Sequence, residues 1–535
     1  MVVLNRLGLG LLLFCLVGSV ACCKQQKKRP REITPEVTDT MANISQPAKI
    51  YFDSAHLDSF LLTHPMLNRF SNAYHDFYRK RHYQYVWITD SGITETAYGL
   101  TAHLMNLVSK DSSELPYNQR LDSLMQAVDF EKGFVPGPET EMLLTGMYFF
   151  YAEHLLQGVE ESISKKLGWL IPRKKIPVQA LLDSFLVAKN WDGFERNTLN
   201  NQYFKLRDEL GKYRALEAGG NEVKIPLIEK KPATLKPGEA SEVIMALRKR
   251  LVQLGYLEGG PTDTAMYLPD LKAAVARAQR AYGLKEDSII GNALISELNV
   301  SARQREEQLL VNMERLRWVP ARFDAPELIL VNIPDFKLIY YVNGQPDWVC
   351  RVVVGSPVNK TVIFSGEMEY VVFSPYWYVP QSIITKEIGL SRAKSPAYLK
   401  RKNMEWSGGS LREKPGPNNS LGLVKFIFPN SNNIYLHDTP ARDLFSRDSR
   451  AFSHGCIRVG EPFELAKKVL ANNPEWTDEK IKQAMHAGVE KKVVLNRKVP
   501  VYIGYFTAFA DRDGLVNFRK DVYHRDSELL ESLVK

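Results

Sequence analysis

Apolar residues recur every three or four positions through the first half of the chain and alternate with polar ones through much of the second. "MLLTGMYFFYAEHLLQGV" (142–159) and "PVQALLDSFLVAKNW" (177–191) carry the helical spacing, and the pattern from about Ile50 to Tyr213 predicts a helical scaffold. "EKKPATLKPGEAS" (229–241), rich in proline and lysine, breaks it and reads as a linker. "VIMALRKRLVQLGYL" (243–257) and the run from Asp270 to Asn299 then give helix, loop and helix signals within a compact segment. From about Leu309 the period becomes two. "ELILVNIPDFKLIYYVNGQPDWVCRVVVG" (327–355) alternates and contains a hairpin signal at "VNGQ". The same alternation continues in three later stretches, 368–380, 421–440 and 491–511. Helix-like "PFELAKKVLANN" and "TDEKIKQAMHAG" lie between the last two. The fold class expected is multidomain α+β: a helical scaffold domain, a small helical module and a β-rich domain with attached helices.

The N-terminus changes the compartment. "MVVLNRLGLGLLLFCLVGSVACC" has one basic residue, an apolar run and then small residues, the layout of an export signal and too short to span a bilayer as a settled helix. Its end, "SVAC", resembles a lipoprotein cleavage site with Cys22 as the lipidated residue; serine stands three places before it where leucine is usual, and Cys23 is the alternative. Residues 23–47, polar and proline-bearing, are expected to be a tether. The expectation is an exported, periplasmic protein anchored through an N-terminal lipid, with the membrane that holds it left open.

With 535 residues, two to four domains are expected. A formal net charge of +9 is spread along the chain, without an arginine stripe interleaved with aromatics, which argues against nucleic acid as a partner and suits a solvated basic surface or an anionic wall or membrane. Past the signal the cysteines are Cys22, Cys23, Cys350 and Cys456. That is too few for a disulfide framework. Cys350, in an alternating run, reads as a small buried hydrophobe. Cys456 is then a free thiol in an oxidising compartment, which calls for a chemical reason.

That reason lies in "RAFSHGCIRVGEP" (450–462). A thiol nucleophile needs a base, a group that orients the base, and donors for an oxyanion. His454 lies two residues before Cys456, and His437, in "YLHDTP", lies 19 positions before it at the end of an expected strand. Gly455 permits a backbone conformation that exposes the thiol, and the N–H groups of Gly455 and Cys456 are the oxyanion candidates. A zinc site would need a fourth ligand at closer spacing, so no metal is expected. An inert buried cysteine beside a structural histidine is the plain alternative for "HGC" alone. The six histidines between His56 and His154 form no close ligand pair and carry no chemistry that can be named.

"HDTP" followed by "SHGCIR" resembles the signature of the L,D-transpeptidases with a YkuD-type catalytic domain. "ERLRW" (314–318), "VNIPDFKLIYY" (331–341), "PGPNNSLGLVKFIFPN" (415–430) and "DLFSRDSRAFSHGCIRVGEP" (443–462) extend the resemblance, which is nearest to the large YcbB-like branch. Residues 238–301 resemble a three-helix peptidoglycan-binding-type module through Leu247, Leu251, Leu254, Gly255, Tyr256, Gln279 and Gly283–Leu284. Asp287–Ser288 stands where that module usually has Asp-Gly; a plain helical spacer is the alternative. The layout expected is a signal at 1–22, a tether at 23–47, the scaffold at 48–235, the module at 238–301, a catalytic domain at 309–515 with a lid-like insertion at about 381–424, and a tail at 516–535.

The resemblance implies Cys456 as nucleophile, His437 as general base, and Asp438 orienting His437 through its carbonyl or its side chain. It implies that Ser453, His454 and Gly455 shape the thiol loop and the site that takes substrate. Arg458 is left between a substrate carboxylate and a structural ion pair. Tyr376, Trp377 and Trp406 are placed at substrate, with aromatic packing as the alternative for at least two of them. The implied reaction forms a Cys456 thioester with a tetrapeptide stem, releases D-Ala and crosslinks two third-position residues. Water or a D-amino acid as acceptor would make it a carboxypeptidase or exchange enzyme. A cell-wall-binding scaffold without catalysis is the reading from another class. No cofactor is implied, carbapenems are expected to acylate Cys456, and the partners are peptidoglycan stem peptides, with glycan strands or other cell-wall enzymes for the upstream modules.

Overall fold

The computed structural model describes residues 50–90, 92–110, 137–175, 177–188, 191–259 and 263–534. The signal, Cys22 and the tether lie outside them. No helix among the described residues is long and apolar enough to cross a membrane.

The helix Pro138–Gln157 is apolar on every side and is buried accordingly, from Met142 to Ala152. Tyr74 and Tyr78 of the helix Ser71–Arg79 donate to its Met142 carbonyl (2.7 Å) and to the Glu141 carboxylate (3.1 Å). Glu141 also accepts from the Val86 and Trp87 N–H groups, and burial pushes its pKa up to about 7.

The module that follows contains helices Glu242–Gln253, Pro269–Ala281 and Asn292–Leu298, fastened by a short pairing of Thr234–Leu235 with Ile290–Gly291. Ser288 sits at φ +56, which accounts for glycine being usual there. The Gln279 side chain holds that turn, accepting from Ser288 N–H and donating to the Ile289 carbonyl.

"ERLRW" is the end of the helix Ala302–Trp318, and its polar residues are structural. The buried Glu314 carboxylate accepts from Val159 N–H (2.7 Å), Trp318 Nε1 (2.8 Å) and Arg317 (2.7 Å). Arg315 pairs with Asp526 (2.6 Å) in the C-terminal helix Arg525–Val534. This helix thereby joins the helical domain to the β-rich one. Residues 516–534, set apart by sequence as a tail, are folded against it, and Tyr523 among them supports Gly355 and Thr361 beneath the cysteine loop described below.

The β-rich domain contains a nine-stranded sheet. Its strands in chain order are β1 (Glu327–Asn332), β2 (Lys337–Val342), β3 (Gln345–Gly355), β4 (Phe364–Phe373), β5 (Val424–Ile427), β6 (Leu436–His437), β7 (Ala451–Ser453), β8 (Ile457–Val459) and β9 (Lys491–Gly504). The spatial order is β7-β3-β8-β6-β5-β4-β9-β1-β2, and β2 also pairs with β3, so the ladder closes on itself and leaves few free edges. Val352 and Val354, Val371 and Phe373, Phe426, Leu436, Ile457 and Val459 point to the core. Their neighbours in the pleat point the other way, and that second face carries the chemistry.

The insertion after β4 is a small folded subdomain. A hairpin, Met404–Ser407 with Ser410–Glu413, pairs with Trp377–Tyr378, and four short helical turns between Gln381 and Arg401 pack on it. Val379, Ile384, Ala393, Met404 and Leu411 form its own core.

Candidate active site

Strands β6 and β8 are parallel neighbours in the register Leu436↔Ile457 and His437↔Arg458. Leu436 and Ile457 face the core, so His437 and Arg458 face the other side. Tyr435 and Cys456, the residues just before the two strands, lie two positions before His437 and Arg458 and return to the same side. The chain separation of 19 residues thus becomes a diagonal between adjacent strands. The Tyr435 and His437 rings lie 5.7 Å apart, and the Tyr435 hydroxyl is near enough to the Cys456 thiol to favour its ionised form.

His437 is almost wholly buried, and its Nδ1 donates to the Asp438 carbonyl at 2.5 Å. That bond fixes the tautomer and leaves Nε2 as the acceptor. Burial, then the nearby Arg458 and Lys425 cations, depress its pKa to about 3, so the ring is neutral at ordinary pH. Of the two ways in which Asp438 was expected to act, the carbonyl is the one that touches the ring. The Asp438 carboxylate instead accepts from Leu423 N–H (2.9 Å) and Arg442 (3.0 Å). Gly422 makes room for it: a Cβ there would lie 2.4 Å from the carboxyl carbon.

Cys456 is half-buried, with Sγ 3.7 Å from the Asn433 carbonyl. Burial raises the thiol pKa, while the Tyr435 N–H and hydroxyl and the Arg458 charge oppose the rise. Arg458 has a buried Nε without a hydrogen-bond partner, and no carboxylate pairs with it among the described residues. Cys350 is buried and free on the core face, its thiol pushed up to about 12, so both cysteines are unbridged.

The loop before Cys456 departs from expectation in two places. Gly455 does take a positive φ, +120, that favours glycine. Its N–H, however, donates to Ser453 Oγ (3.1 Å) rather than facing an open oxyanion site; Ser453 in turn donates to the Cys456 carbonyl (2.5 Å). The His454 ring is engaged elsewhere, with Nε2 2.7 Å from Glu387 of the insertion. The Gly455 carbonyl accepts from Thr361 Oγ1 (2.8 Å), which also accepts from Gly355 N–H (2.8 Å). Tyr523 supports both partners, donating to the Gly355 carbonyl (2.6 Å) and accepting from Thr361 N–H.

The three aromatics are spread over the insertion. Trp377 packs against its small core. Tyr376 lies under the Arg412 guanidinium at 4.0 Å. Trp406 is partly exposed and donates to the Ala393 carbonyl. None of these contacts reaches Cys456. Tyr435, Thr361, Lys425 and Tyr523 escaped the sequence reading. The alternation of "NIYLH" with "CIR" held the signal for Tyr435; Thr361 and Tyr523 had none.

Residues 326–501 match the family model of the YkuD L,D-transpeptidase catalytic domain. Residues 241–298 match a "Putative peptidoglycan binding domain" and residues 72–210 a "Scaffold domain". The β-rich domain is thus similar to the YkuD-type catalytic domain, and the two helical parts before it are similar to the scaffold and putative peptidoglycan-binding domains. A Haemophilus influenzae protein named "Putative L,D-transpeptidase" is 30% identical over 244 residues, 42% of this chain and 49% of that protein. The chain thus spans about half the length of this curated relative. Among solved structures, an L,D-transpeptidase from Stackebrandtia nassauensis is 13% identical over 51% of this chain and 95% of its own, with a TM-score of 0.22. One from Xylanimonas cellulosilytica is 14% identical over 50% and 97%, with a TM-score of 0.18.

Proposed function

We propose that this protein is a peptidoglycan L,D-transpeptidase that works through a Cys456 thioester. The observation that carries the reading is the β6–β8 register, which sets a thiol, a neutral imidazole and an unpaired guanidinium on one face of a domain of matching family. His437 Nε2 takes the thiol proton, and the Asp438 carbonyl steadies the imidazolium that results. Arg458 and the Tyr435 hydroxyl favour the thiolate. The thiolate attacks the third-residue carbonyl of a tetrapeptide stem, and the Cys456 N–H is the backbone donor left for the oxyanion once Ser453 has taken that of Gly455. The C–N bond breaks, His437 returns its proton to the leaving amine, and D-Ala departs. The side-chain amine of a second stem then attacks the thioester and releases the thiol. We assign Arg458 to a substrate carboxylate, since no protein anion pairs with it among the described residues.

A peptidoglycan substrate requires export, and the first 22 residues supply a signal; anchoring through Cys22 belongs to the same proposal. The experiment is intact mass of the protein after incubation with disaccharide-tetrapeptide, beside Cys456→Ala, with products separated. An adduct lacking D-Ala and a dimer with third-position linkage are expected. An adduct that resolves only to tripeptide would replace the transpeptidase with a carboxypeptidase. No adduct, with none from a carbapenem either, would leave a cell-wall-binding scaffold.

A further inference from the structure

One charged group on the site face has no part in the chemistry above. Strand β5 lies beside β6 in the register Lys425↔His437, and Lys425 faces Val372 of β4 on its other side. Phe426 between them points to the core, so Lys425 shares the face of His437 and Arg458. The three form a row across adjacent strands, Arg458, His437, Lys425, spaced about 4.8 Å apart. The imidazole is therefore flanked by two cations, and both depress its affinity for a proton. Lys425 is half-buried, and its ammonium has no hydrogen-bond or ion-pair partner among the described residues. Burial lowers its pKa; Glu490, the anion acting on it, has one carboxylate oxygen committed to the Tyr376 N–H at 2.8 Å.

A half-buried ammonium that Glu490 acts on only from a distance, with no ion pair or hydrogen bond of its own, is costly unless a ligand supplies one. The reaction indicates which. In the proposed mechanism His437 protonates the leaving amine, so the leaving residue lies over the imidazole, beyond Cys456. Its α-carboxylate is two bonds from that nitrogen and comes within reach of the next strand. We infer that Lys425 forms a carboxylate subsite for the leaving D-amino acid, so that the donor is recognised by its free C-terminal carboxylate. The inference rests on the transpeptidase reading for the identity of the ligand, but the presence of a carboxylate subsite beside the thiol can be tested without it.

Two measurements on the full chain separate these. In the first, D-Ala release is followed with disaccharide-tetrapeptide and with the same donor ending in D-alaninamide, for wild type, Lys425→Met and Lys425→Arg. A charge-assisted contact of this kind predicts about a 10- to 100-fold loss of kcat/KM on the carboxylate donor in Lys425→Met. The amide donor is expected to change less than threefold, and Lys425→Arg to recover most of the loss. Equal losses on both donors, or no loss on either, would overturn the subsite. In the second, Cys456 is alkylated with iodoacetate and with iodoacetamide, the site resolved by peptide mass. The ratio of the two rates is taken within one protein, so partial misfolding cancels, and Lys425→Gln serves as a second variant. A fall of threefold or more in that ratio supports a carboxylate subsite, and a smaller change overturns it. If the wild type releases no D-Ala at all, the transpeptidase reading fails, and the alkylation ratio alone decides the subsite.

Discussion

Thr361 is completely buried and far from Cys456 in sequence, yet its hydroxyl is the joint on which the cysteine loop rests. It donates to the Gly455 carbonyl and accepts from Gly355 N–H, both at 2.8 Å. Thr361→Val keeps the volume and removes the hydroxyl, which leaves one backbone acceptor and one backbone donor buried and unpaired. Each such group costs about 1–3 kcal/mol, so with partial relaxation about 2–4 kcal/mol is expected. For a domain of this size about 2–4 °C accompanies each kcal/mol, giving a fall in melting temperature of roughly 4–16 °C. Thr361→Ser is the control: it keeps both bonds and loses one methyl, at a cost of about 1 kcal/mol. Because the Gly455 carbonyl precedes the cysteine, Thr361→Val is also expected to slow alkylation of Cys456 by iodoacetamide at least tenfold, whereas Thr361→Ser stays near wild type. The assays are calorimetric melting and peptide-resolved alkylation. If Val and Ser variants melt within about 2 °C of each other and alkylate at similar rates, the hydroxyl does not hold the loop and the reasoning fails.

Further outcomes follow from the same contacts. The folded His437 titrates near 3 against 6.5 when free, so between those values the unfolded chain binds a proton the folded one does not, and stability falls as pH falls from 6.5 towards 3. The full shift corresponds to on the order of 5 kcal/mol; melting measured against pH should lose that share of its slope in His437→Gln, and an unchanged slope would contradict the buried neutral ring. Gly455→Ala meets no neighbouring atom but must adopt φ +120, so a cost of about 1–3 kcal/mol and a slower thiol are expected from denaturant titration and alkylation. Glu314→Gln removes the anion that its ion-pair partner Arg317 and the Trp318 and Val159 N–H groups share, at about 3–5 kcal/mol, to be read from denaturant titration.

The local pattern carried the β-rich domain well because strand alternation reports burial directly, and each of these strands has one core face. It also carried the cysteine, since a chain read as exported and holding so few thiols invites the question of why one is kept. The insertion was harder. It was read only as lid-like; Gly408 and Gly409 serve a tight hairpin turn, and the segment has its own apolar core, whose five residues are scattered among polar ones between Val379 and Leu411. "ERLRW" stood out as a motif, and its roles became visible only when Glu314 met Val159 and Arg315 met Asp526, partners more than 150 residues away.

By itself the sequence determined which atoms are available for chemistry: the thiol of Cys456, the imidazole of His437, the guanidinium of Arg458 and the glycine whose φ the loop requires. Spacing along a chain does not say which side chains share a face, because that depends on which strands become neighbours and in what register. The tertiary structure decided that a histidine 19 residues away, rather than the one two residues away, shares the thiol's face. It decided as well that Asp438 orients the ring through its carbonyl, that Ser453 takes the Gly455 N–H, and that Lys425 closes the row beside His437. A slip of one residue in the β5–β6 or β6–β8 register would send half of these groups into the core, and only the packed sheet excludes it.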